Sequence, residues 1–595
     1  MQVLAEDIRA FLIRHVSETG GHLSSNLGVV ELTIAMHTVF SSPQDQLLFD
    51  VGHQCYTHKI LTGRAKDFAT LRAYGGLSGF IRKSESEHDI WESGHSSTSI
   101  SAQCGFLMSE EIDADRRVVV LIGDASIANG VSFEALNYMG TLRDKNPIII
   151  INDNKMSISR SVGAVSRYFS RLRSNRGYQK VNNFFARNTP RPVRSFFHSL
   201  KTSIKGLILN ENIFEAWGYD YMGPYDGNDL SVCIKTLNAA RHLNKPCVIH
   251  FVTKKGKGYA PAENDISGIY HGVEPFDAVS GKFLKKADGM KSFSKIAADH
   301  LERIMKKEPC FVITPAMIKG SELDELQKRY PKNIIDVGMA EEHATVMASA
   351  MAQKGKKVFL MLYSTFAQRA YDYLLNDIAR TNTPLIIMID RADLVPGDGE
   401  THQGIYDLSM FYAMPNLMIL APKDGSELCG LMDFAMLQHH PVVIRYGKGR
   451  TLAPVDSFER IEDVSWTVEK EGSDVTIITY GAGISYVRPL CDRSGYGIRL
   501  VNARFLRPLD ERMLEEILSS GKPVLIYENC NLSGSLSTRI FEYTVRRSLN
   551  VKIRAMGLPS DAIVPSGDLA SLRKHFHLTE EDIQNELDIL LKGER

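Results

Sequence analysis

Two strand ends in this sequence carry the donors of a hard-cation site. Gly123-Asp124 closes the apolar run RRVVVLIGD (116–124), and Asn152-Asp153-Asn154 closes NPIIIIND (146–153). The 30 residues from Asp124 to Asn154 make one β-α-β unit. A carboxylate and an amide oxygen at neighbouring strand ends can share one Mg²⁺, which prefers oxygen ligands and readily takes phosphate oxygens as the others. Ala125-Ser126 opens the next helix, whose N-terminal amides favour an anion. Together these groups describe a seat for Mg²⁺ and a diphosphate. The competing reading is two ordinary turns, because G-D and N-D-N are common turn formers. At this level both stand.

Other side chains suit proton traffic and anion recognition. His22, His53, His95 and His402 sit in Gly/Ser/Thr-flanked contexts. Histidine delivers protons near neutral pH and hydrogen-bonds carboxylates or carbonyls. A lone histidine is more often structural; four in such contexts shift the balance. His343, in EEHA, fits a structural role as well. Glu341 follows the run NIIDVG and can be read simply as an acid complementing a helix dipole. Tyr363, Arg369, Arg391, Asp398, His402 and Arg445 fall at strand ends or in long loops. Arginine suits two-pronged phosphate recognition; each alone is more often a surface ion-pair partner, worth ~0–1 kcal/mol.

The elements that position these groups follow from the hydrophobic pattern. Apolar, β-branched runs recur at 45–52, 116–124, 146–153, 245–253, 309–314, 332–338, 356–364, 383–390, 416–422, 441–447, 474–481, 498–505, 522–529 and 552–557, separated by helix-length segments. Continuous apolar strands alternating with helices predict parallel sheets covered on both faces. Polar stretches near 280–295 and 450–472 divide the chain into 1–290, 291–460 and 461–595. The fold class predicted is α/β, with three doubly wound domains. In open sheets of this kind ligands bind at the carboxyl ends of the strands.

Composition narrows the function classes. With 595 residues, 44% hydrophobic and 24% charged, the chain is no disordered, collagenous or membrane-embedded protein. Lys+Arg and Asp+Glu are both 70, and a net charge of zero argues against a generic nucleic-acid binder. No stretch approaches the ~18 apolar residues of a membrane span. MQVLAEDIRAFLIRHV reads as an amphipathic helix, not a signal peptide. Eight scattered cysteines without a C-x-x-C pair are expected as buried reduced thiols, which points to a cytoplasmic protein. From Arg160 to Lys205 there are eleven Lys/Arg and no acid, with aromatics interleaved. That stretch is read as a solvated amphipathic loop pair or a mobile cover over anionic ligands, ahead of a nucleic-acid surface.

The spacing around Asp124 and Asn154 resembles the thiamin diphosphate signature of the transketolase superfamily. GGHLSSNLG (20–28), DVGHQCYTHKILTG (50–63), ESGHSSTSISAQ (92–103), TKKGKGYAPAE (253–263), DVGMAEEHA (336–344), YSTFAQRAYD (363–372), DRADLVPGDGETHQGIYD (390–407) and RYGKG (445–449) carry the likeness, which runs from about residue 6 to the C-terminus. The resemblance implies thiamin diphosphate and Mg²⁺ as cofactors, with Asp124, Asn154 and the Met156 carbonyl as metal ligands. It places His53, Gly94, His95, Ser96, Ala125, Ser126 and Tyr259 against the cofactor, with Glu341 at its aminopyrimidine ring. His22, Tyr363, Arg369, Asp398 and His402 would surround the substrate, with Arg391 and Arg445 on the acceptor phosphate. Glu341, His22, His53 and His402 would move protons.

The implied reaction decarboxylates pyruvate and joins the two-carbon unit to D-glyceraldehyde 3-phosphate. Its product is 1-deoxy-D-xylulose 5-phosphate, the first step of the non-mevalonate isoprenoid route, which also feeds thiamin and pyridoxal synthesis. The resemblance further implies a homodimer, with neither nucleic acid nor membrane as partner. Departures from the family are Ala125 for Gly, Glu342 for Gln, Gly447 and Lys448 in place of Pro and Arg, Pro396, and Asn228 for His. Relative to the family the sequence starts late before AEDIRAF, through a late beginning or an absent N-terminal helix. The alternatives are a transketolase proper, a 2-keto-acid dehydrogenase component, and a non-enzymatic scaffold lacking cofactor.

Overall fold

The computed structural model describes residues 1–109, 116–142, 144–154, 162–174, 212–265, 267–283, 289–452 and 458–593. The chain divides into two compact units, 1–72 with 76–284, and 285–595 with 73–75.

The first unit is built on five strands: β1 (Gln46–Phe49), β2 (Val118–Gly123), β3 (Ile148–Asp153), β4 (Asp220–Asp226) and β5 (Cys247–Val252). They lie in the order β1-β2-β3-β5-β4, every pair parallel. Alternation explains why the strands read as unbroken apolar runs. Leu47, Phe49, Val119, Leu121, Ile148 and Ile150 pack in one core with residues of helices Gln2–Thr19 and Val30–Val39. Leu48, Val118, Val120, Ile122, Ile149 and Ile151 pack in another, with helices Ser99–Ser109 and Gly130–Met139. Both faces are covered, so the strand interiors are almost wholly apolar; the exception is His250 of β5, which is buried against Asp153. The N-terminal segment is the amphipathic helix its pattern predicts, burying Ala5, Ile8, Leu12 and Val16. β4 was not predicted: DYMGPYD carries Gly and Pro at its centre, and the fold tolerates them at a sheet edge.

The second unit holds the remaining strands: β6 (Met290–Ser292), β7 (Cys310–Thr314), β8 (Ile334–Asp336), β9 (Lys357–Tyr363), β10 (Ile386–Ala392), β11 (Met418–Leu420), β12 (Val442–Gly447), β13 (Arg450–Leu452), β14 (Thr467–Lys470), β15 (Val475–Thr479), β16 (Ile498–Asn502), β17 (Phe505–Arg507), β18 (Val524–Asn531) and β19 (Ile553–Leu558). One seven-stranded sheet runs β17-β11-β12-β10-β9-β7-β8, a five-stranded sheet runs β14-β16-β15-β18-β19, and β13 pairs with β6. In the two larger sheets only β17 and β14 are antiparallel to their neighbours. The short strands β6, β13, β14 and β17 fall outside the predicted runs because too few residues alternate to give a signal.

β17 ties the two sheets together. It follows β16 of the five-stranded sheet, yet pairs with β11 at the edge of the seven-stranded one. One core runs through both, from Phe293 and Leu360 to Phe505, Ile517 and Ile526. The Trp466 indole donates to the Phe505 carbonyl at 2.8 Å. All eight cysteines are free, seven of them buried. Among the described residues no helix is long and apolar enough to cross a membrane. The shared core predicts that a fragment of residues 289–595 unfolds by heat in one cooperative transition, whereas 289–460, lacking β17, shows none by calorimetry. Two separate transitions in the longer fragment would show that the sheets are independent.

Candidate active site

In the first unit the carboxyl edge of the parallel sheet gathers polar side chains around two loops. Asp50, one residue past β1, is buried, and both its oxygens accept the Ser97 N–H at 3.0 and 2.9 Å. The Ser99 hydroxyl donates to it at 2.7 Å. Burial pushes the Asp50 carboxyl up, against serine hydrogen bonds that pull it down. This ties the loop carrying Gly94, His95 and Ser96 to β1. Ser97 takes a left-handed backbone (φ 76) and donates through its hydroxyl to the Ser126 carbonyl at 2.8 Å. The Ser132 hydroxyl reaches both carbonyls, at 3.0 Å to Ser126 and 3.2 Å to Ser97. The 94–99 and 124–126 loops, which hold most of the expected diphosphate contacts, therefore form one hydrogen-bonded assembly.

Asp124 is buried directly after β2, and its N–H donates to the Asn152 carbonyl at 3.2 Å. In the N-D-N triplet the first two side chains are engaged in building the sheet edge. Asn152 donates to Gln54 at 3.0 Å and accepts from the Thr253 hydroxyl at 2.6 Å. Asp153 pairs with His250 at 3.0 Å and with Arg173. Asn154 follows, half-buried, just past the end of β3. Met156 lies outside the described residues, as does most of the basic stretch 160–205. Its described part, helix Ala164–Ser174, buries Phe169 beside His250, their ring centroids 5.1 Å apart. Among the described residues no group of three His, Cys, Asp or Glu is arranged to hold a metal alone.

His22 and His53 come together, ring centroids 5.6 Å apart, and a third histidine joins them. His271 lies 5.7 Å from His22 and 5.4 Å from His53. Burial, with Lys255 and the two histidines nearby, holds His271 neutral, well below its usual range. Sequence reasoning missed His271, although His271-Gly272 offers the same Gly-flanked context that singled out the others. It also missed Lys255, which burial pushes down to about 8 against the pull of Asp265 and Asp124. Tyr259 lies in an aromatic cluster with its hydroxyl donating to the Ala278 carbonyl at 2.9 Å, so that hydroxyl is engaged by the chain itself.

In the second unit the focus is Glu341, first residue of the helix Glu341–Gln353. It is 5% exposed, and its Oε2 has no hydrogen-bond partner. Burial raises its carboxyl to about 7, partly opposed by Arg369. Among the described residues it is the only buried carboxylate with an oxygen so placed. A nitrogen-bearing ring that can share a proton fits this orphaned acceptor; a hydrocarbon wall does not. Glu342 is half-buried and His343 is exposed on the same helix.

Tyr363, Arg391 and His402 converge at the ends of β9 and β10. The Arg391 guanidinium stacks 3.8 Å above the Tyr363 ring, and Tyr363 stacks on Phe366, which meets His402 edge-on at 5.7 Å. Arg391 adopts φ 59 beside a bulge in β10, an unusual backbone for a bulky side chain, and pairs with Asp390 at 3.0 Å. Its guanidinium also donates to the Gly320 carbonyl at 3.4 Å. Only glycine fits there, because a Cβ on Gly320 would sit 1.7 Å from the Tyr363 hydroxyl. Asp398 acts electrostatically on both Tyr363 and Arg391.

Arg445 departs from expectation. It was read as a second phosphate ligand, but it is 1% exposed and fully engaged by acids of its own chain. Its Nε donates to Asp407 at 2.9 Å, and Nη2 donates to Asp393 at 2.6 Å and to Asp407 at 3.1 Å. The reason is position along the strand: Arg445 lies inside β12, which is buried on both faces, whereas Lys448, just beyond the strand, is exposed.

The raised Glu341 carboxyl has a stability consequence. Its folded value, about 7, lies above the ordinary 4.5, so burial of the ionised form costs stability as pH rises between those values and the full cost is present above them. Glu341→Gln is predicted to unfold at higher temperature than wild type at pH 8, by roughly 1–3 kcal/mol at about 1.4 kcal/mol per pKa unit. The difference should vanish below pH 4.5. A pH-independent difference would show that Glu341 ionises normally.

Comparison with known proteins accords with this geometry. Residues 1–253 match the family model described as 1-deoxy-D-xylulose-5-phosphate synthase, 290–452 the transketolase pyrimidine binding domain, and 465–583 the transketolase C-terminal domain. A 1-deoxy-D-xylulose-5-phosphate synthase of Halalkalibacterium halodurans is 42% identical over 607 residues, covering 99% of this chain and 96% of its own. One of Bacillus cereus is 40% identical over 611 residues, covering 100% and 96%. Among solved structures, the transketolase of Campylobacter jejuni is 18% identical with a TM-score of 0.44, covering 99% of both chains. At such identity over the whole length, the chain belongs to the 1-deoxy-D-xylulose-5-phosphate synthase family.

Proposed function

We propose that this chain performs the reaction for which its family is named: decarboxylation of pyruvate and condensation of the two-carbon unit with D-glyceraldehyde 3-phosphate. The observation that carries the reading is the buried Glu341 Oε2, unmatched by any donor among the described residues, at the head of a helix in the region matching the pyrimidine binding domain. The family depends on thiamin diphosphate, which supplies the nucleophilic carbon and takes up the electron pair left by CO₂.

The chain supplies binding, orientation and proton transfer. Glu341, with a carboxyl that gains and loses a proton near neutrality, would hold that proton at Oε2 and exchange it with the aminopyrimidine. Mg²⁺ would be held by Asp124, Asn154 and the Met156 carbonyl, its remaining positions filled by diphosphate oxygens. Gly94, His95 and Ser96, with Ala125 and Ser126, line the diphosphate through the assembly that Asp50 anchors. His22 and His53 serve protons around the reacting carbonyl. Tyr259 walls the cofactor with its ring.

On the acceptor side, Arg391 and Lys448 grip the phosphate. Both stand at the ends of paired strands, where Ala392 of β10 lies opposite Gly447 of β12. Tyr363, Arg369, Asp398 and His402 would hold and protonate the aldehyde's polar chain. The divisions 1–290, 291–460 and 461–595 correspond in this reading to diphosphate-binding, aminopyrimidine-binding and C-terminal regions of a cytoplasmic homodimer.

The test is incubation with pyruvate, D-glyceraldehyde 3-phosphate, thiamin diphosphate and Mg²⁺, reading product mass and CO₂ from labelled pyruvate. The reading requires one CO₂ per ketose phosphate formed. CO₂-free transfer from a ketose donor would instead make the chain a transketolase proper. Glu341→Ala is predicted to lower turnover at least ~10²-fold, the low end for a positioned proton-transfer group. Near-normal turnover would remove Glu341 from the chemistry.

A further inference from the structure

The acceptor groups Asp398 and His402 sit on a loop that the seven-stranded sheet holds only at its root. Asp393 and Gly404 pair across the loop's base, their N–H groups donating to each other's carbonyls at 2.8 and 3.0 Å. Inside it, the Gln403 side chain accepts from the Val395 N–H at 2.8 Å and donates to the carbonyls of Val395 and Gly399. This closes the loop into a rigid body, but it does not fix where that body lies.

The fixing contacts come from residues after 470. Leu394 and Ile405, at the loop's two ends, belong to the core of the five-stranded sheet with Val475, Leu525 and Val564. The Gly397 N–H donates to the Gly567 carbonyl at 3.0 Å, and the Asn531 N–H to the Ile405 carbonyl at 3.2 Å. Gly399, at φ +74, lies so close to Ser566 that a Cβ on it would be 2.6 Å from the Ser566 hydroxyl. The exposed Tyr406 hydroxyl donates to the Ala562 carbonyl at 3.1 Å. Beneath the root, Arg445 holds Asp393 and Asp407, its guanidinium 5.5 Å from the ring of Tyr480. Tyr480 in turn donates to Glu528 on β18 at 2.9 Å.

We propose that the C-terminal region, through Ser566–Gly567 and the Arg445–Tyr480–Glu528 chain, is a positioning element for the 393–406 loop and so sets the affinity for the phosphorylated aldehyde. This goes beyond a structural role for residues 461–595, and it rests on the reading of Asp398 and His402 as acceptor groups. Arg445 and Ser566 are positioning residues that touch neither substrate nor cofactor. They act only on the second half of the reaction, since their contacts lead to the loop and not to Glu341.

The test is Ser566→Leu, which presses the loop at Gly399 without disturbing the buried ion pairs. The KM for D-glyceraldehyde 3-phosphate should rise roughly 10-fold or more, because displacements of about an ångström cost that much. The KM for pyruvate and the affinity for thiamin diphosphate should stay within about twofold, a split that a general loss of folding would not give. Tyr406→Phe, at an exposed position, is the milder second probe and should move the same constant alone, a few-fold. In a His402→Ala background the effect of Ser566→Leu should largely disappear, since both act on one group. The proposal is overturned if the aldehyde KM is unchanged in both variants, if both KM values rise equally, or if the effect adds to that of His402→Ala. An unchanged aldehyde KM in His402→Ala alone strikes instead at the acceptor reading of the loop.

Discussion

A carboxylate taken out of water needs an answering charge or donor, and this chain answers nearly every one it buries. Asp50 receives serine donors, Asp153 a histidine and an arginine, Asp390 the Ser294 hydroxyl and Arg391, and Asp407 the fork of Arg445. Glu427 is met by Asn502 and Arg504. Glu341 Oε2 is left unanswered. An unmatched buried oxygen costs about 1–3 kcal/mol, and the fold tolerates it at the head of a helix, where the dipole itself complements an acid. A protonatable ring nitrogen is the kind of partner such an oxygen suits.

Parallel sheets make this possible because they segregate chemistry from packing. Strand interiors are almost wholly apolar on both faces, so polar residues collect where strands end. Asp50, Asp124 and Asn154 follow the last apolar residues of β1, β2 and β3, Lys448 lies just past β12, and Arg391 sits at the bulge near the end of β10. Arg445 shows the converse. Three residues before Lys448, inside β12, a cationic side chain is instead a buried tie between the strand and the 393–406 loop.

Most of the sheet was legible in the sequence because long β-branched runs leave few alternatives. β1–β3, β5 and the long strands of the second unit match those runs. What escaped were β4, broken by Gly-Pro, and the short strands β6, β13, β14 and β17, all of which pair antiparallel with chain distant in sequence or at a sheet edge, as with β17 on β11. At the site, Glu341 stood out only through the resemblance, while motif spacing marked the strand-end loops. It could not show that Asn152 and Asp153 serve the sheet rather than a ligand, because that depends on Gln54, Thr253 and His250, remote in sequence. It also assigned Arg445 to phosphate from its type alone, whereas burial decided otherwise. His271 went unread for the opposite reason: only the fold brings it against His22 and His53.

The central claim is that the cofactor supplies the partner Glu341 lacks. The most direct measurement is calorimetry of thiamin diphosphate binding, with Mg²⁺ present, in buffers of different ionisation heat near pH 7. The account predicts proton uptake on binding by the wild type, since a carboxyl poised near neutrality gains a ring nitrogen with which to share a proton, and none in Glu341→Gln. Identical proton exchange in both proteins, or none in either, would contradict it.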